Sequence, residues 1–305
     1  MRFHPLWLCM MSIASVALLS GQSKTVAERL GYPADSKLLI IHADDLAVAH
    51  AVDSASFEAL EKGAVTSASI LVPCPWLTEV AEYAKAHPDA DLGLHLDLTS
   101  EWNTYRWGPV ESKDKIASLL DPAGRFWSLT APVASHAKPE EGEREIRAQV
   151  EHALAMGIHP THLDTHMGAM FVTPSLTAVY AKVAHDYHLP FLAVRFPGAD
   201  LSFLSEKDVV LDSVVIANPN IEVGEWEQFY LDAIKNLKPG LTEMIVHLGR
   251  DDAELQAIMG QVAFGSSWRQ RDYDVVTSPE FKKALEDNHV VLVRWKDLQK
   301  LANQP

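Results

Sequence analysis

Residues 37–72 read KLLIIHADDLAVAHAVDSASFEALEKGAVTSASILV. The opening KLLII is continuous, apolar and partly β-branched, the pattern of a short strand buried on both faces. AVDSASFEALEKG reads as a helix ended by Gly63, and AVTSASILV as a second strand. Strand, helix, strand in succession is a parallel βαβ unit. The unusual feature is Asp44 next to Asp45 at the end of the first strand. Two carboxylates side by side repel unless a cation lies between them or one is protonated. The plainer alternative is a cap on the helix that follows.

The alternation continues outward from this unit. WLTEVAEYAKAHP, PEEGEREIRAQVEHALAMG, SLTAVYAKVAHDYH, GEWEQFYLDAIKNL and SPEFKKALEDN read as helices. ADLGLHLDL, PTHLD, PFLAVRF, DVVLDSVVI, LTEMIVHLG and HVVLVRW read as strands. Roughly seven such units predict a single α/β domain over residues 37–303: a distorted (β/α) TIM-like barrel with mostly parallel strands. Residues 99–138, rich in Trp, Pro and Gly, are predicted to be a long functional loop or lid. SSWRQRD, around Trp268, reads as another loop.

Composition narrows the partners. The chain has 305 residues and a net charge of −15, which disfavours nucleic acid and anionic membranes. Arg2, an apolar run over 6–19 and the polar Ser20-Gly21-Gln22-Ser23 have the layout of a secretory signal peptide, placed at 1–24. The run is short for a transmembrane span. The expected protein is exported, periplasmic or secreted, with no stable membrane insertion after cleavage; retention as an anchor is the alternative. Cys9 lies in this segment and Cys74 stands alone beyond it, so no internal disulfide or cysteine-based zinc site is expected.

Barrel chemistry gathers at the C-terminal ends of the strands. The polar residues there are Asp44, Asp45, His95, Asp97, His162, Asp164, His166, Arg195 and His247. Asp45, His95 and His166 can supply three ligands to a catalytic divalent cation while leaving a position open. That cation would tolerate Asp44 beside it, ionised and placed to accept a proton from water. Within THLDTH, His162 and Asp164 share a strand face while His166 enters the loop. His166 is taken as the ligand, with His162 or Asp164 orienting it or its neighbours by hydrogen bonds; His162 as the ligand is the open alternative. His247 is suited to protonating a leaving group, or is simply packed. Arg195 can orient Asp44, or form an ordinary ion pair. Trp102, Trp107 and Trp268 can stack on sugar rings, or fold their loops onto the barrel.

LLIIHADDLAVAHAVDSASFEALEKGAVTSASILV, DLGLHLDLT, PTHLDTH and VHLG, in that order and spacing, resemble the YdjC-like carbohydrate deacetylases. TSPEFKKAL resembles that family's closing helix. The resemblance covers nearly everything after Lys37. It implies a distorted barrel, one divalent metal (zinc or magnesium), and hydrolysis of an N-acetyl group from an amino sugar, with a small carbohydrate as substrate. It carries Asp45, His95 and His166 over as ligands, Asp44 as base and His247 to the acid side. The chain departs from the family strings at Leu46 and Ala47, at MGAM after THLDTH, and at Leu248. These departures fall in the pocket rather than on the ligands. Two rival readings stand beside this one: a metal hydrolase of another ester or amide, and a non-catalytic glycan-binding protein. A homo-oligomer is compatible with either.

Overall fold

A computed structural model describes residues 24–195, 201–205, 207–260, 262 and 265–302. Apart from Lys24, the expected signal peptide lies outside the described residues. Among these residues no helix is long and apolar enough to cross a membrane.

The strands are β1 Lys37–Leu46, β2 Ser67–Ile70, β3 Leu92–Leu96, β4 Leu163–Thr165, β5 Ser213–Ile216, β6 Gly240–Val246 and β7 Val291–Leu292. All pair in parallel, in the order β4-β3-β2-β1-β6-β5, with β7 beside the start of β1. Single bridge pairs, Leu163 with Phe191 and Val194 with Leu211, carry the curled sheet from β4 round towards β5. The result is a single-domain, distorted (β/α) barrel.

Period-2 alternation sorts β1 into two faces. Leu39, Ile41 and Ala43 pack outward in the main core, with apolar residues of the surrounding helices. Leu38 and Ile40 point inward and join Leu192, Leu211, Leu241, Val293 and Trp295 in a smaller cluster at the barrel floor. His42 and Asp44 continue that inward face. The barrel interior therefore changes from apolar at the bottom to ionisable at the top. The register places Ser67 beside His42, and Gly93 beside Ser69. These small residues leave room for the imidazoles; a Cβ on Gly93 would lie 2.3 Å from the His162 ring.

The chain differs from the sequence reading in several places. Among the described residues of PFLAVRF, pairing is limited to the two bridge pairs at Phe191 and Val194. HVVLVRW narrows to Val291–Leu292, and DVVLDSVVI to Ser213–Ile216. Residues 99–138 are not an open loop. They contain two short 3-10 turns and the helix Thr130–His136, and they bury Trp102, Trp107, Ile116, Leu119, Phe126 and Val133. SSWRQRD is the start of the helix Ser266–Val276 rather than a loop. Its buried positions include Arg269 and Asp272, so the inward stripe is partly charged and escapes a purely apolar pattern.

Candidate active site

In an extended strand Asp44 and Asp45 would point to opposite faces. The pairing register shifts between Ala43 and Leu46. Asp45 has φ 74° and Ala47 has φ 75°, in the left-handed region that side chains with a Cβ rarely adopt. This bulge turns Asp45 back, so both carboxylates face the barrel mouth. The Ala47 N–H is fixed by donation to Asp53 Oδ1 at 2.7 Å.

Asp45, His95 and His166 converge: one ligand atom from each lies within 4.8 Å of the others. Asp45 Oδ1 is 3.5 Å from His95 Nε2 and 3.4 Å from His166 Nδ1. Ligand atoms of a tetrahedral site at ~2.0–2.1 Å from zinc lie roughly 3.4 Å apart. Asp45 Oδ1 is also buried without a hydrogen-bond partner. The three residues thus fit a divalent cation. Asp45 Oδ2 accepts from the Arg269 guanidinium at 2.6 Å. Burial alone would raise the Asp45 carboxyl, but Arg269 and His166 outweigh it and hold the group well below the usual range.

Each histidine of this trio has a carboxylate behind it. His95 Nδ1 lies 2.7 Å from Asp164 Oδ1, and His166 Nε2 lies 3.0 Å from Glu101 Oε2. Such partners fix which ring nitrogen is free and orient the ring. Burial disfavours charge on His95, yet Asp164 and Asp44 overcome it and push the imidazole up to about 9. His166 is raised in the same way, chiefly by Glu101 against burial.

Asp44 lies next to the trio. Its Oδ2 is 3.6 Å from His95 Nε2 and 3.8 Å from His247 Nε2. Burial raises it to about 6, with His95 and His42 opposing and Asp164 adding to the rise. His247 is the reverse case. Burial, with Arg269, His95 and His166 nearby, pushes it down to about 3.

Other expectations need correction. Arg195 is exposed, and its backbone N–H bonds Leu211; the guanidinium that reaches the aspartate pair is Arg269. His162 is fully buried lower in the barrel. It is stacked on Trp295 and bonded to Thr161 Oγ1; it is not part of the trio that holds His166, but with His42 and Asp164 it forms a second group whose ligand atoms lie within 4.8 Å of one another. Asp164 is the carboxylate beside His95 Nδ1. Trp102, Trp107 and Trp268 are buried, not displayed. Trp107 Nε1 donates to Asp97 and Trp268 Nε1 to Asp272, so these rings are held in the protein interior. Sequence reasoning missed Glu101, Arg269 and His42. His42 had a usable signal, since it shares the inward face of β1 with Asp44.

This is a (β/α) barrel with a buried carboxylate and imidazole cluster at its C-terminal mouth. The family model described as YdjC-like protein matches residues 38–287, and the chain belongs to that family. A carbohydrate deacetylase of Thermus thermophilus is 33% identical over 273 residues, spanning 86% of this chain and 94% of the relative. A carbohydrate deacetylase of Brevibacillus brevis is 30% identical over 272 residues, spanning 85% and 99%. A crystal structure from Enterococcus faecalis V583, of a protein provisionally assigned to cellobiose-phosphate cleavage, superposes with a TM-score of 0.73 at 26% identity. It spans 87% of this chain and 99% of its own.

Proposed function

We propose that the protein is an exported, metal-dependent hydrolase that removes an N-acetyl group from an amino sugar or oligosaccharide. The observation that carries the reading is the trio Asp45, His95 and His166, with the unpartnered Asp45 Oδ1 at its centre and Asp44 alongside. The carbohydrate and the acetyl group are supported by the relatives' assignment as carbohydrate deacetylases. Export is supported by the layout of residues 1–24. Two imidazoles and one carboxylate favour zinc over magnesium, which prefers oxygen ligands.

A divalent cation bound there would polarise the amide carbonyl and make an attacking water more acidic. Arg269 holds one oxygen of Asp45 and leaves the other for the cation. Asp44 takes a proton from the water as its oxygen adds to the carbonyl carbon. The C–N bond then breaks, and the nitrogen leaves as an amine by gaining a proton. His247 is held neutral at pH 7, so it brings no spare proton to the reaction. The proton it delivers is the one Asp44 has taken, passed across the 3.8 Å between them. Acetate and the free amino sugar are the products.

The test is acetate release from a panel of N-acetylated and O-acetylated glycans, with zinc, magnesium, manganese, cobalt or nickel added. Asp44→Asn is expected to keep bound metal and lose turnover by ~10²–10⁴-fold. A fully active variant would remove Asp44 from the base role. Release from O-acetyl substrates alone would overturn the amide assignment. Fractionation of cells making the full chain tests export; a wholly cytoplasmic protein would refute it.

A further inference from the structure

His42 is fully buried on the inward face of β1, one step below Asp44. Its Nε2 lies 2.9 Å from Asp164 Oδ2, 3.0 Å from Ser69 Oγ and 3.3 Å from Asp44 Oδ1. Its Nδ1 faces the Ser67 hydroxyl, with Glu243 Oε1 at 3.8 Å. Glu243 is itself held by the Trp295 indole N–H at 2.7 Å. Three strands thus clamp one imidazole. Asp44 Oδ1 accepts no hydrogen bond, and of the ion contacts Asp44 makes with His42, His95 and His247 the one to His42 is the shortest. Asp164 uses its other oxygen on His95.

We propose that His42 is a positioning residue that aims Asp44 at the reacting water and, through Asp164, fixes the orientation of the ligand His95. For Asp44 this rests on the base role given above; for His95 it rests only on the cation site. The imidazole Nε2 edge touches the base and the carboxylate behind the ligand at once. Losing it frees the Asp44 carboxylate to rotate, and frees Asp164 to shift from the His95 ring. A misplacement of this kind costs up to ~10²-fold in rate. Loosening the support behind a metal ligand costs roughly 10–100-fold in metal affinity.

The experiment compares full-length wild type with His42→Leu, which removes both contacts, and His42→Gln, whose amide nitrogen can replace Nε2. Metal content, zinc affinity by chelator competition, the visible spectrum of the cobalt-loaded protein, kcat and KM are measured at equal folded fraction. His42→Leu is expected to lose kcat by ~10–100-fold with KM little changed. It should also weaken zinc by about tenfold and shift the cobalt bands. His42→Gln should restore most of each. If His42→Leu does not fold, intermediate values for His42→Gln carry the test. Unchanged zinc affinity and cobalt spectrum in a folded variant overturn the proposal, whether or not any sugar is deacetylated. So does a wild type that holds two cations per chain and loses one in the variant, because His42, with His162 and Asp164, would then be a ligand set. A wild type that releases no acetate, with the metal effects as expected, defeats the proposed reaction and leaves the His95 arm standing.

Discussion

Glu101→Gln isolates the carboxylate behind His166. Glu101 Oε2 lies 3.0 Å from His166 Nε2, while Nδ1 of the same ring faces Asp45. Its side chain is 24% exposed, so the substitution should leave the fold intact. Glutamine keeps the size and an acceptor but removes the negative charge. Two opposed effects follow. The imidazole becomes a weaker donor, and losses of this kind run to about 10–100-fold in metal affinity, or roughly 1.4–2.7 kcal/mol. The same charge is the main cause raising His166 in the metal-free protein, so its removal also makes the ring easier to deprotonate. Proton competition matters only where His166 is protonated before metal binds. The affinity loss should therefore be small in mild acid and grow as the pH rises. Zinc competition against a chromophoric chelator between pH 6 and 9 measures it. A loss that is flat, or largest in acid, would refute His166 as a ligand through Nδ1.

Metal binding should release protons, because neighbouring carboxylates raise both imidazoles in the metal-free site, His95 to about 9. Apparent affinity must then weaken as the pH falls, and calorimetry in buffers of different ionisation enthalpy should count the protons; none released would contradict the site. The converse sign applies to the metal-free fold. The stability contributed by raised His95 is complete below pH 6.5 and is lost as the pH climbs through about 9, seen as a falling Tm in chelator. Gly93→Ala puts a methyl 2.3 Å from the His162 ring and should destabilise by ~1–3 kcal/mol in urea unfolding; an unaltered midpoint would mean the ring moves freely. Trp268→Ala should cost about 3–5 kcal/mol of stability, as for a core aromatic. A raised KM with unchanged stability would return Trp268 to sugar stacking.

The sequence yields the barrel because apolar strands and amphipathic helices alternate with a period that backbone geometry dictates. It also yields Asp44, Asp45, His95 and His166, because polar groups that end buried strands must meet at one mouth. What it hides is charge working inside regular elements. Arg269 sits in a helix whose inward stripe is partly ionic, so the apolar pattern is broken and the segment reads as a loop. His42 lies inside an otherwise apolar run, where an imidazole looks like filler until the face it shares with Asp44 is counted. Arg195 and the three tryptophans err the other way. Position near a strand end or in an irregular segment says nothing about exposure, and the tertiary fold exposes the arginine and buries the rings.

The small residues inside the barrel have an evolutionary corollary. Gly93, Ser67 and Ser69 yield the volume that His162 and His42 occupy on the inward face of the sheet. Neither imidazole can be traded for a smaller side chain without leaving a hole, nor either serine or the glycine enlarged without a collision. Drift in this lineage should therefore move such positions in matched exchanges, one growing as its neighbour shrinks.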